Sequence, residues 1–468
     1  METSIRYNQV YIWLISMTAA LGGFLFGYDW VVIGGAKPFY EPFFNITNPS
    51  EQGWGTSSAL IGCMIGATIC IFLSDRLGRK KLLTFSGFLF SLSAIGTAMA
   101  DTFWWFNFYR IVGGLAMGIA LNLSPLYIAE LAPPEKRGMF VTINQLMVMI
   151  GVLLAQIVNW QISLIDKSLP DNATFEVLAA SWSGKFAWRY MFAAEFVPAF
   201  LFFILMFFVP ESARWLVKNN EVDKAKQVLK KIGGDFYAEI SINEIKETIS
   251  KENLAKVNFK ELLNKNVLHF LFIGIFLAFL QQWSGVNVII YYAADIFQAA
   301  GYTLKQMMLN IVVIGSVMVL SVFITILTVD KFGRKRLLLL GTSSMAILYI
   351  FIGLTFYFEQ GGFVIVLLVL ANVMFYSFTL APLLWVVLSE IFPTKIRGAA
   401  MSIAALAHWI GNFTLTFSFP VIKESLGWAN NFWLYGLICV VGFIVLKLVL
   451  PETKGKSLEQ IEKQFSRK

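Results

Sequence analysis

Asp29 is the only charged residue between Val10 and Ala36, in an apolar run long enough to cross a bilayer. A carboxylate at the centre of a span is expensive, and such a residue is functional by default. It reads as a proton or ion relay lining a polar cavity; the plainer alternative is a structural carboxylate paired inside a helix bundle. Phe26, Asp29 and Ile33 recur at helical spacing and share one face. Gly22, Gly23, Gly27, Gly34 and Gly35 let neighbouring helices come close. A second polar group lies in the apolar run 267–298. Gln281 and Gln282 are one step apart, so they point about a hundred degrees from each other on a helix, and Asn287 lies near the Gln282 side. Gly285 sits among them and lets the helix bend or open. Amides donate to and accept from hydroxyl groups without the desolvation cost of a charge; they also serve simply to hold membrane helices together.

These residues are carried by a chain of 468 residues, 57% hydrophobic and 14% charged, where a soluble chain carries roughly 25% charged residues. The chain is read as an integral membrane protein. Its net charge of +8 comes from basic residues in short loops between apolar runs, a pattern that sets membrane orientation and leaves no case for nucleic-acid binding. Twelve spans are expected, near 10–36, 54–74, 82–100, 103–129, 139–162, 187–209, 267–298, 306–329, 337–357, 362–389, 399–422 and 428–450. With the N-terminus inside, 29 Lys/Arg fall in cytoplasmic segments and six outside (Lys37, Lys167, Lys185, Arg189, Lys305 and Lys423). Both termini are therefore placed in the cytoplasm of a multi-pass protein of the cell (inner or plasma) membrane.

Cys63, Cys70 and Cys439 lie inside apolar runs and read as small core residues, with no disulfide framework or zinc site. The first apolar run leads straight into further spans and does not read as a cleavable signal. Asn45 and Asn172 spell glycosylation sequons. Residues 211–265 break the apolar pattern. Val222, Ala225, Leu229 and Ile232 make one amphipathic stripe that Gly233-Gly234 can end, and Ile242, Ile245 and Ile249 make another. Short cytoplasmic helices or a solvated linker of helical tendency both fit.

The chain also repeats itself. SDRLGRKK (74–81) is echoed by VDKFGRKR (329–336), YIAELAPPEKRG (127–138) by VLSEIFPTKIRG (387–398), and VPESARWL (209–216) by LPETKGKS (450–457). Four parts follow: a six-span half 1–210, a helical linker 211–265, a second half 266–450 and a tail 451–468. Duplicated halves place a site near the midplane between them, with alternating access by rocking.

With FGYD (26–29), RIVGGLAMG (110–118), SPLYIAELAP (124–133), WRYMFAAE (188–195), PESARWL (210–216), QQWSGVNVIIYY (281–292) and PETKGKSLEQI (451–461), the chain resembles the sugar porter family of the major facilitator superfamily, most of all its bacterial xylose- or hexose–proton symporters. The resemblance covers nearly the whole chain. It implies an all-α membrane fold of twelve transmembrane helices in two pseudo-symmetric six-helix halves, with short cytoplasmic helices. It implies proton-coupled symport of a monosaccharide, pentose or hexose, with a facilitative uniporter or a non-transporting sugar sensor as the alternatives. Xylose, glucose, galactose, arabinose and an inositol all stay open.

By this resemblance Phe26, Gln145, Gln281, Gln282, Asn287, Tyr291, Tyr292, Trp385, His408 and Trp409 bind the sugar, aromatic rings covering its apolar faces. His408 stands where relatives often carry an amide, and Met318 where many carry Asn. Asp29 and Arg110 form the proton-coupling pair, because a buried guanidinium needs a carboxylate. Arg76, Arg79, Glu130, Arg137 and Glu195 in the first half, with Arg334, Glu390, Arg397 and Glu452 in the second, are expected to form charged cytoplasmic gate clusters. The expected partners are the sugar, the proton and the lipid bilayer; no cofactor or metal is expected. The sequence offers no nucleophile–base pair or phosphate loop and reads as a non-enzyme.

Overall fold

The computed structural model describes residues 6–170, 173–254, 265–392 and 397–452. Uninterrupted apolar runs become long helices, because a span must satisfy every backbone group within itself. The first five are α1 (Gln9–Phe43), α2 (Pro49–Leu77), α3 (Arg79–Ala98), α4 (Phe103–Leu131) and α5 (Arg137–Ser163). A short α6 (Phe175–Ala180) precedes the sixth crossing, which is α7 (Trp188–Ala193) and α8 (Phe196–Phe208) with a break between them. Outside the spans lie α9 (Ala213–Lys218) and α10 (Val222–Leu254). The seventh crossing is cut into α11 (Lys265–Trp283), α12 (Val286–Tyr291) and α13 (Ala293–Ala299). Then follow α14 (Leu304–Phe332), α15 (Arg334–Tyr357), α16 (Phe363–Phe378) with α17 (Leu380–Ile391), and α18 (Arg397–Val449).

Among the described residues eleven helices are long and apolar enough to cross a bilayer. One of them, α18, breaks at Gly427 (φ 74°, ψ 174°) and supplies two crossings, so the expected twelve are present. The apolar side chains Val197, Phe208, Phe272, Leu320 and Leu448 are 62 to 80% exposed, which suits lipid rather than water. The glycine of each repeated DRLGRK-type motif takes the left-handed backbone region, Gly78 at φ 95° and Gly333 at φ 86°. Both separate one span from the next, and a side chain there would be strained.

The linker stripe is buried: Ala225, Leu229 and Ile232 are all below 4% exposed. Gly233 and Gly234 (φ 81°) break α10 at the stop expected from the sequence. The Asn8 amide donates to the Ile232 carbonyl at 2.8 Å, and the Tyr7 ring meets that of Tyr237 edge-on. Among the described residues, this part of α10 is thus packed and not a solvated tether.

Contacts group the chain into two compact units. One contains Met1–Trp30, Ile61–Val152 and Phe192–Lys256; the other contains Val31–Leu60, Leu153–Met191 and Val257–Lys468. This grouping cuts across the sequence repeat. Within the first unit the helices approach backbone to backbone: a side chain at Gly27 would run into the Val148 carbonyl, one at Gly62 into that of Ile111, and one at Gly151 into that of Phe24. Within the second unit, Gly34 lies against the Ile290 carbonyl, Gly53 against that of Phe417 and Gly315 against the Gln156 amide. Residues 31–60 and 153–191 therefore pack with the later half of the chain on the side away from the basic loops. Covalent repeats record how the chain is built, whereas contact grouping records which ends are closed together.

Candidate functional site

Asp29 on α1 and Arg110 on α4 are both buried, and Arg110 Nη1 donates to Asp29 Oδ1. The same guanidinium reaches the Asp29 carbonyl at 3.5 Å and lies over the Phe192 ring, 5.2 Å from its centroid. A Cβ at Gly113 would come within 2.8 Å of Asp29 Oδ2, so glycine there is what lets the carboxylate rest on α4. That second oxygen accepts no hydrogen bond. A third charged group joins the pair. Glu195, expected in the cytoplasmic gate, is buried at 2% exposure and within electrostatic reach of both Asp29 and Arg110. The break between α7 and α8 places it there, because Glu195 is the residue that starts α8. The site thus holds two carboxylates and one guanidinium away from water.

The amide group is assembled in the second unit. Gly285 adopts φ 88° and ends α11, which turns Gln281, Gln282 and Asn287 toward each other. Gln282 Nε2 donates to Gln281 Oε1 at 2.8 Å, Asn287 Nδ2 donates to Gln282 Oε1, and Gln281 Nε2 donates to the Ala381 carbonyl at 3.2 Å. Asn287 Oδ1 is buried and accepts nothing. Gln281 Nε2 also reaches the Leu380 carbonyl at 3.4 Å, in the first turn of α17, where α16 and α17 part at Thr379. Pro382 brings no N–H of its own, and the Phe378 carbonyl accepts instead from Thr325 at 3.4 Å. His408 lies 2.9 Å from Gln282 Nε2 through Nδ1. Its ring centroid is 5.4 Å from that of Trp385 and 5.4 Å from that of Trp409. Amides, imidazole and two indoles therefore meet at one place: donors and acceptors beside flat apolar faces, which is what a small polyhydroxylated ring needs.

Tyr291, Tyr292 and Met318 belong to the second unit. Tyr292 donates to the Thr416 carbonyl at 2.7 Å and packs on Phe419; Tyr291 is buried beside it. Met318 is buried on α14. Phe26 stacks on Trp30, and Gln145 is exposed on α5; both belong to the first unit.

The charged clusters beside the basic loops recur in both repeats. Arg79 pairs with Glu130 at 3.1 Å and with Asp75 at 3.0 Å, and Arg334 pairs with Glu390 at 3.1 Å. The Arg79 amide donates to Glu211 at 3.0 Å, and the Arg334 amide donates to Glu452 at 3.0 Å. Glu211, and not Glu195, is the counterpart of Glu452. Burial pushes the Glu211 carboxyl up, while the amides of Ser212, Lys80 and Arg79 pull it back. The correspondence of PESARWL with PETKGKS carries that signal. Arg397 donates to the Phe392 carbonyl at 3.2 Å. Arg137 and Arg76 are exposed at helix ends and add surface charge there.

Comparison with known proteins agrees with this geometry. A family model described as "Sugar (and other) transporter" matches residues 15–465. The chain is 35% identical to the D-xylose-proton symporter of Escherichia coli K12, over 98% of this chain and 96% of that one. It is 35% identical to the arabinose-proton symporter of Bacillus subtilis, with the same coverage, and 37% identical to the glucose transport protein of Synechocystis, over 97% of each. Among solved structures, the partially occluded inward open conformation of the E. coli xylose transporter XylE superposes with a TM-score of 0.83, at 34% identity, covering 96% of this chain and 100% of that one. The same transporter bound to 6-bromo-6-deoxy-D-glucose gives 0.78, covering 98% and 100%.

Proposed function

The chain belongs to the sugar (and other) transporter family, and from that premise we propose that it carries a monosaccharide, pentose or hexose, into the cytoplasm together with protons. The major facilitator fold of its relatives supplies the frame: halves 1–210 and 266–450, joined by the helical linker 211–265, rock about a midplane site in the cell membrane, with both termini cytoplasmic. Gln281, Gln282, Asn287 and His408 hydrogen-bond the sugar hydroxyls, and Trp385 and Trp409 cover its ring. Gln145, Phe26, Tyr291 and Tyr292 complete the binding surface. The Arg79–Glu130 and Arg334–Glu390 pairs, with Glu211 and Glu452, hold the cytoplasmic side shut when the outer side is open.

One observation carries the coupling: a carboxylate–guanidinium pair, Asp29 and Arg110, buried together in the span region, with a second buried carboxylate, Glu195, within electrostatic reach. One guanidinium compensates one carboxylate. A second negative charge in that setting is costly unless it holds a proton. A proton arriving from outside neutralises Asp29, and Glu195 gives up its own proton inward as it takes over Arg110, so α1 and α4 are no longer locked. Passage of the Asp29 proton to Glu195 restores the Asp29–Arg110 lock, one proton having crossed. A proton moves the equilibrium because the two protonation states prefer different conformations.

The test is sugar-driven alkalinisation of the medium by cells or right-side-out vesicles. The wild type should take up protons with sugar. Asp29→Asn should accumulate no sugar against a gradient yet keep exchange. If wild type moves sugar without protons, it is a uniporter and Asp29 is a structural partner of Arg110. If it binds sugar and moves none, it is a sensor.

A further inference from the structure

Lys37 stands on the side opposite the basic loops, 2% exposed near the end of α1. Burying a lysine is expensive, and this one is bracketed by two acids. Its Nζ lies 2.8 Å from Asp295 on α13 and 3.1 Å from Glu41, one turn further along α1. It also lies 5.3 Å from the centroid of the Tyr292 ring. Tyr40 and Lys423 are the other ionisable groups that act on the cluster. Asp295 Oδ2 accepts no hydrogen bond. Lys37, Glu41 and Asp295 line a cavity of about 440 Å³, together with Thr174, Gln298 and Tyr302. At about 30 Å³ per water, the cavity has room for roughly ten or more.

Both sides of the ion pair are short of helical hydrogen bonds. Pro38 and Pro42 lie inside the last turns of α1, each removing an N–H and crowding the carbonyl four residues back. On the other side α13 is seven residues long. It is set off from α11 by Gly285 and from α12 by the non-helical Tyr292 (φ −115°). One turn inward from Lys37, Gly34 rests against the Ile290 carbonyl, so the ion pair lies along the seam that closes this end of the second unit.

We propose that Lys37 is a further residue of the transport cycle: clamped between Glu41 and Asp295, its ammonium tethers α1 to α13 and holds the outer side closed, and it releases Asp295 when that side opens. The inference rests on the transport reading above. The two acids differ in role. Glu41 is on the same helix, so it stays with Lys37 in both states and the lysine is never left uncompensated. Asp295 is the partner that leaves, and the polar cavity hydrates its carboxylate as it does so. An apolar contact in the same place would offer no such exchange of partner for water.

The test uses an impermeant maleimide on right-side-out vesicles. Cys63, Cys70 and Cys439 are replaced by alanine, and Ile290→Cys, 3% exposed in the closed seam, is the reporter. Without sugar, Lys37→Met and Asp295→Asn should each label about tenfold faster. That figure lies between the near-zero worth of an exposed pair and the large loss on breaking a buried one. The external half-saturation for sugar should fall with it. Lys37→Arg should stay slow, and the charge exchange Lys37→Asp with Asp295→Lys should return labelling toward the starting rate, which a mere packing role would not do. Lys37→Gln serves where Lys37→Met does not fold. Unchanged labelling in both folded single variants overturns the tether, and so does a raised rate that the charge exchange fails to lower. The sugar response of the unsubstituted reporter protein is a separate readout: its absence, with no uptake, would sink the transport reading, while labelling without sugar decides the tether in either case.

Discussion

Removing both carboxylates around Arg110 should cost more than the two single removals together. Asp29→Asn takes away a charged hydrogen bond, worth about 1–3 kcal/mol, but leaves the buried guanidinium facing Glu195. Glu195→Gln leaves the Asp29–Arg110 pair intact and should cost about 1 kcal/mol or less. The double variant leaves Arg110 buried and uncompensated, which costs about 3–5 kcal/mol beyond the lost contacts. The double loss should therefore exceed the sum of the singles by about 2 kcal/mol or more. Adding Arg110→Met removes the last charge and should recover most of that excess. Unfolding midpoints of the four variants and the wild type in mixed micelles give the comparison. Strict additivity, or no recovery on adding Arg110→Met, would remove Glu195 from the charge balance of Arg110 and leave the pair to act alone.

Gln282→Ala and Asn287→Ala should each weaken monosaccharide binding by about 1–3 kcal/mol, since each leaves a hydroxyl and a neighbouring amide unpaired; titration calorimetry reads this as a loss of roughly 5- to 150-fold in affinity, and unchanged affinity in both would move the site elsewhere. Gly285→Ala should lower the melting temperature, because the residue stands at φ 88° with a would-be Cβ 2.7 Å from the Tyr435 ring; the backbone term alone is about 1–2 kcal/mol, and a variant that melts with the wild type contradicts the left-handed turn.

Charge in an apolar run is conspicuous, and so Asp29 and Arg110 stand out from the amino-acid order alone. The amide cluster is legible for the same reason, and Gly285 marks the break that folds it together. Glu195 lies well inside the span 187–209, but the repeat of acids and bases in the two halves draws it into the gate cluster, whereas the structure buries it within electrostatic reach of Arg110. Only the interruption between α7 and α8 carries it inward, and its one local sign is Pro198, which has no N–H to give the Ala194 carbonyl at the break. The second break in the seventh crossing, at Tyr292, is silent. Lys37 reads only as a basic residue on the outer side, because its partner Asp295 is 258 positions away and no local spacing links them. The grouping of 31–60 and 153–191 with the later chain is a property of one conformation, and a sequence that must serve several conformations does not encode one above the others.

The backbone-to-backbone seams of the first unit bear on how the protein meets its solvent. Where Gly27 meets the Val148 carbonyl, Gly62 that of Ile111 and Gly151 that of Phe24, no gap is left for an acyl chain to enter. Detergent and lipid tails can act on the outward faces of those helices but cannot wedge them apart. Changes in bilayer thickness or tail saturation must then be absorbed where helices meet through side chains or are already broken, as in the segmented seventh crossing. Purification that strips annular lipid should accordingly loosen that crossing first and leave the α1–α5 and α2–α4 seams in place.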